Sequence, residues 1–215
     1  MTYIDAVNNL LRRLRERTVT TVNETTYSSL LGILLNDAKE DVENAYDWSG
    51  LRLTLTAVTQ PGIFNYELNG SRNRGNIIDV VNEEGDYFLQ YRTSHQFNQY
   101  FLNQPVPTGN PKYYSFNGVS SDGDTLVDLY PIPDDAYTLY FNMVLRPVEL
   151  VADADQLLVP SRPVLLLAYA KAIEERGEDG GVASTSAYIA AENALRDAIA
   201  FDSAKHPEEM IWHEV

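Results

Sequence analysis

Three histidines, His95, His206 and His213, are the first candidates for acid–base or metal chemistry. His206 and His213 flank Glu208 and Glu209, but the spacing matches no zinc signature, and there is no cysteine to complete a site. A solvated terminus is the simpler reading. Asp122-Gly123-Asp124 and Asp128 gather carboxylates near a glycine. A calcium loop of the EF-hand kind needs a longer acidic run, glycine at its sixth position and a closing glutamate. The pattern here is that of a polar hairpin turn. No nucleophile elbow and no phosphate-binding glycine loop occurs. Glycoside chemistry needs two carboxylates at a defined separation in a cleft, and among 31 acids no pair stands out. Fourteen tyrosines could stack on sugars or on a protein partner, or simply line a half-buried pleated surface. The sequence therefore predicts no enzyme: no catalytic residue, no cofactor and no metal.

What remains is charge. The 215 residues carry a formal −15. The first 23 residues hold Arg12, Arg13, Arg15 and Arg17 against two acids, whereas every later region has an acidic excess. Such a surface repels phosphates at long range, so it excludes a protein that grips nucleic acid. It does not exclude one that lines a path along which DNA slides. With 44% hydrophobic and 11% aromatic residues the chain is too apolar to be disordered. The densest apolar run, Val164–Ala170, is far short of the ~20 residues that span a bilayer. The start lacks a basic segment followed by an apolar core, so neither a signal peptide nor a membrane partner is expected.

The elements follow from periodicity. Ile4, Val7, Leu10, Leu11 and Leu14 recur at helical steps, with the four arginines off that stripe. A second helix is expected from about Tyr27 to Asp47, with Leu31, Leu34, Leu35, Ala38, Val42 and Ala45 inward and Asp37, Glu40, Asp41, Glu43 and Asp47 on its other faces. Alternation then predicts strands at Leu51–Ala57 and Tyr137–Leu145. Hairpins are expected at Asn69-Gly70, Glu83-Glu84-Gly85 and Asn117-Gly118. A short helix is expected at His95–Leu102, with Phe97, Tyr100 and Phe101 on one side. Asn103–Pro111 reads as a long loop. Ser161 can cap a helix that Gly177 ends, and its scant polar face requires burial on more than one side. Ser184 or Thr185 starts an alanine-rich last helix.

Two helices, six or seven strands, two helices and a tail make an α+β plan. The terminal helices are expected to form a four-helix bundle (1–48 with 150–203), with an inserted, mainly antiparallel β domain (49–149) and a C-terminal extension (204–215). That extension ends in Met210, Ile211 and Trp212, an apolar cluster that can anchor a partner or fold back on its own bundle.

Several stretches resemble the head-to-tail adaptors of tailed bacteriophages, of the tail tubular protein A type. They are Leu34–Val42, Ala45-Tyr46-Asp47-Trp48, Tyr66–Gly70, Leu129-Tyr130-Pro131-Ile132-Pro133 and Tyr188–Asp202. The similarity spans nearly the whole chain and rests on element order and short matches rather than one motif. It implies a structural virion protein that assembles in the bacterial host cytoplasm into a ring, usually of twelve subunits, at the head–tail junction. The ring would join the portal protein to a tail nozzle or tail-tube protein and extend the channel for genomic DNA during ejection, without specific DNA binding. The resemblance leads to four sets of expected contacts. Met210, Ile211 and Trp212 would dock on the portal. Asp37, Glu40 and Asp41 would line the channel. Arg12, Arg13, Arg15 and Arg17 would meet the next subunit. Gln104, Pro105, Val106 and Pro107 would meet the tail. The competing reading is a tail-associated receptor- or carbohydrate-binding module that uses the tyrosine-rich β domain.

Overall fold

The computed structural model describes residues 1–102, 105–177 and 182–205. In chain order these form α1 (Tyr3–Arg13), α2 (Thr26–Ala45), a 3-10 turn (Ser49–Leu51), β1 (Arg52–Val58), β2 (Asn65–Leu68) and β3 (Gly75–Asn82). Then come β4 (Tyr87–Phe88), β5 (Gln90–Tyr91), α3 (Ser94–Leu102), β6 (Tyr113–Val119), β7 (Thr125–Tyr130) and β8 (Thr138–Leu145). The helices α4 (Ser161–Arg176) and α5 (Val182–Ser203) follow. The chain divides into two compact units: Met1–Leu51 with the described residues from Val148 onward, and Arg52–Pro147.

In the helical unit, Thr2 caps α1 by accepting from the Asp5 amide at 3.3 Å. Val7, Leu10, Leu11 and Leu14 are buried as expected, Ile4 is only half-buried, and Tyr3 and Ala6, outside the expected stripe, are buried with them. Thr25 and Ser28 cap α2 reciprocally. Leu31, Leu35, Ala38 and Val42 face inward as expected, but Ala45 is exposed and Leu34 half-buried. Glu43 departs from the expectation most. It is fully buried, because Lys39 one turn earlier lies beside it with Nζ 2.9 Å from Oε1. The same ammonium donates to the Val148 carbonyl at 3.2 Å. Asn36 adds a reciprocal pair with the Leu150 backbone at 2.9 and 3.0 Å, so α2 clamps the returning chain.

Helix α4 packs against α1, α2 and α5, which is the many-sided burial its composition demanded. Ser161 does not cap it: Pro160 occupies that position, with no side-chain hydrogen bond. Gly177 ends it in the left-handed region (φ +63°), its amide reaching Ile173 and Glu174 carbonyls. Ser184 does not open the last helix but lies buried within its first turns.

In the β unit two four-stranded sheets have the orders β1-β8-β3-β4 and β2-β7-β6-β5. All pairings are antiparallel except β5 with β6. Leu68, Val80, Leu89, Tyr114, Val127, Leu129, Leu139 and Phe141 form the core between them. Each such side chain contributes about 1.5–3 kcal/mol when fully buried. The hairpin at Glu83-Glu84-Gly85 joins β3 to β4 as expected. Two other turns behave differently. After Asn69-Gly70 the chain leaves for the other sheet, because β2 pairs with β7 instead. Asp124 fixes that exit by accepting from the Gly70 and Arg72 amides at 2.9 and 2.7 Å. Asn117-Gly118 is a bulge inside β6, with Gly118 at φ +98° and the register shifting between Phe116 and Val119. The turn itself falls at Ser120–Asp124, the polar hairpin expected of Asp122-Gly123-Asp124. The structure is thus α+β, with the terminal helices packed together and two mostly antiparallel sheets inserted between them in the sequence.

Candidate interaction surfaces

A capped α1 that buries one stripe must turn its other residues outward. Arg12, Arg13, Arg15 and Arg17 are accordingly exposed. Arg13 Nε donates to Asn9 at 2.9 Å and its guanidinium lies 5.9 Å from the Tyr169 ring centroid. Arg13, Arg15 and Arg176 share one depression with Tyr169 and Ile173. Arg176 is already engaged, donating to Glu16 at 2.6 Å and to the Tyr27 hydroxyl at 2.8 Å. This is a basic patch on an acidic chain, partly neutralised from within.

Asp37, Glu40 and Asp41 are exposed on α2, at spacings that place them on one face with Ile33, itself 59% exposed. Asp41 pairs with Lys171 at 3.0 Å, an exposed contact contributing ~0–1 kcal/mol.

The β unit places its aromatics on each other. Tyr100 of α3 stacks on Tyr130 at 4.6 Å and on Tyr113 at 5.5 Å, and Phe97 is buried beneath. Phe97, Tyr100 and Phe101 thus share the expected side of α3, which anchors the helix to β6 and β7. Arg92 covers Tyr113 at 4.7 Å. Of the loop after α3, Gln104 lies outside the described residues. Pro105 and Pro107 are exposed and Val106 half-buried. The loop's return is pinned to Ile132, whose amide donates to Pro107 O at 3.2 Å and whose carbonyl accepts from Gly109 at 2.9 Å. Met210, Ile211, Trp212, His206 and His213 lie outside the described residues.

The shifted ionisations have structural causes. Tyr137 is pushed up to about 12 by its hydrogen bond to Asp134. Tyr188 is raised to about 12 by burial and by Glu174. Asp202 is lowered: burial raises it, but hydrogen bonds from Lys205 and from the Ser49 hydroxyl and amide outweigh that. Asp202 and Tyr188 thereby tie distant segments together, whereas Tyr137 and Asp134 belong to one turn. Among the described residues no group of three or more His, Asp and Glu could hold a metal ion. Nor is any helix among them long and apolar enough to cross a membrane.

Strand order, invisible in the sequence, creates one more feature. β1 and β2 end their sheets on one side, and a cleft of about 420 Å³ between them is lined by Leu55, Ala57, Val58, Tyr66, Glu67 and Leu68 among others. β4 and β5 end the sheets on the other side, where Phe88 is 65% and Tyr91 49% exposed. A family model described as SU10 adaptor protein matches residues 1–209. No curated protein matches the chain.

Proposed function

The chain belongs to the SU10 adaptor protein family, structural head-to-tail adaptors of the phage virion that engage portal and tail components, and from that premise we propose that it works as a ring through which DNA passes. The observation that carries this reading is the family match over residues 1–209, joined to the paired charge faces of α1 and α2. In this reading the terminal helices (1–48 and 150–203) act as one four-helix bundle carrying the β domain (49–149), with 204–215 extending beyond. Asp37, Glu40 and Asp41 face the lumen, where carboxylates repel phosphates and keep the duplex mobile. Arg12, Arg13, Arg15 and Arg17 meet acids of the next subunit. Met210, Ile211 and Trp212 dock on the portal, and Gln104–Pro107 meet the nozzle or tail tube. Twelve copies is the proposed stoichiometry, with assembly in the host cytoplasm.

Electron microscopy and native mass measurement of the protein with its portal test this directly. A ring with a central hole is expected; a chain that stays single beside the portal refutes it. Reversing the four arginines to glutamate should weaken ring formation while leaving monomer stability nearly unchanged, since exposed pairs contribute so little. Removing residues 204–215 should leave a folded protein that no longer joins heads; unchanged joining would show that the extension is not the portal anchor.

A further inference from the structure

We propose that the β unit is self-complementary head to tail: the cleft between β1 and β2 of one copy receives Phe88 of the next, with Glu67 meeting Lys112 across the contact. This rests on the ring reading and names the surface that would build it. Among the described residues, β1 pairs only with β8 and β2 only with β7. The phase of pairing is set by two hydrogen bonds, Thr59 N to Tyr137 O at 2.9 Å and Leu129 N to Phe64 O at 2.7 Å. Because antiparallel hydrogen bonding alternates residue by residue, the peptide groups of Thr54, Thr56 and Val58 face away from β8. By the same alternation those of Asn65 and Glu67 face away from β7.

Open strand edges template pairing with other chains, and monomers blunt them with lysine, proline or bulges. From Leu53 to Val58 the first strand has none of these. Leu55, Ala57, Tyr66 and Leu68 give the cleft its apolar part, three of them continuous with the core and Leu68 part of it, beside the polar Thr56, Gln60, Asn65 and Asn69. Its rim carries Val58, 58% exposed, and the exposed carboxylate Glu67.

The opposite edges supply what this cleft lacks. β4 and β5 are two residues each, too short to form a long ladder, so side chains must carry the contact. Phe88 stands free of its own core at 65% exposure. It shares a shallow depression with the exposed Lys112, so seating the ring in the cleft brings the ammonium to the rim where Glu67 stands. Cleft and anchor belong to opposite ends of the same sheets, so the contact is heterologous. Every copy keeps one free end of each kind, and the chain of contacts ends only by closing on itself.

The absence of cysteine makes the test clean. The full-length Glu67→Cys/Lys112→Cys double variant, oxidised with the portal present, should give a ladder of covalent multimers, while each single variant, with no second thiol across the contact, should stay uncross-linked. Phe88→Ala should weaken assembly about 30-fold or more, the lower bound for truncating an interface anchor. Glu67→Lys should weaken it as well, and Lys112→Glu in the same chain should restore it. Wild-type rings together with no ladder and an indifferent Phe88→Ala would overturn this contact and leave the ring intact. A wild-type chain that never associates would overturn the ring reading, and this contact with it.

Discussion

Removing one member of the Lys39–Glu43 pair should be the most damaging conservative change in the helical unit. The two side chains are 3% and 0% exposed, and the ammonium reaches Oε1 at 2.9 Å, Oε2 at 3.1 Å and the Val148 carbonyl at 3.2 Å. Lysine preceding glutamate is the weaker i,i+4 orientation on a helix, so the pair is not there for helix propensity. Its strength comes from burial, which makes an unpartnered charge expensive. Lys39→Met takes the ammonium away from a fully buried carboxylate. Glu43→Gln takes the countercharge away from a buried ammonium. Each should cost about 3–5 kcal/mol, a large part of the ~5–15 kcal/mol that stabilises a domain. Lys39→Met/Glu43→Leu removes both charges and should return close to wild-type stability, because packed apolar groups replace a buried pair at little or no loss. Urea unfolding followed through Trp48, which is 1% exposed in the same unit, reads this in a Trp212→Phe background. The midpoint should shift at constant slope. Either single variant costing under about 1 kcal/mol would refute the reasoning, because it would mean that water reaches the pair.

Two further expectations concern the same unit. Gly32→Ala should destabilise by about 1–3 kcal/mol, since the new methyl meets the Tyr3 hydroxyl and stands 2.9 Å from Val22 Cγ1. Adding Tyr3→Phe should recover part of that in the same urea titration. Asp202→Asn should cost about 1.5–3 kcal/mol, because two Ser49 donors and Lys205 converge on a carboxylate. Its folded pKa is lowered, so the contribution is complete above the ordinary carboxylate value near ~3.9 and is lost as pH falls through the lowered one. The stability gap between wild type and variant should therefore hold at neutral pH and close in acid; a gap that persists at pH 2 would count against this.

How much of this was legible follows the range of the interactions involved. The inward stripe of α1 was readable because each member lies three or four residues from the next. The outward arginines followed by exclusion. A charge in a helical pattern reads as solvent-facing, which is wrong for Glu43; Lys39, four residues earlier, is the available signal. Local turn chemistry alone predicts hairpins at Asn69-Gly70 and Asn117-Gly118. Glycine there does supply positive φ, at +88° and +98°. What the chain does next depends on which distant strand is free to pair. Leu89, which links one sheet to the other between β4 and β5, has no local mark at all. The cleft between β1 and β2 was out of reach for the same reason, since it exists only once strand order is known. The adaptor family was legible from short matches spread along the chain, and the family model confirms it over residues 1–209.

The clamp of α2 on Val148 and Leu150 has a consequence for the order in which the molecule forms. The helical unit is discontinuous, with α1 and α2 made first and α4 only after the whole β unit. The β unit is continuous, and its first and last strands are neighbours, Arg52 lying opposite Val144. Once β1 and β8 have paired, the two ends of the insertion are already side by side. The closure entropy of a loop the length of the insertion has then been met by the β unit's own folding. Helices α1 and α2 complete their burial only with α4, which follows the insertion in the chain. Weakening the β1–β8 ladder should therefore slow helical assembly more than it destabilises the finished helices, as stopped-flow refolding would read.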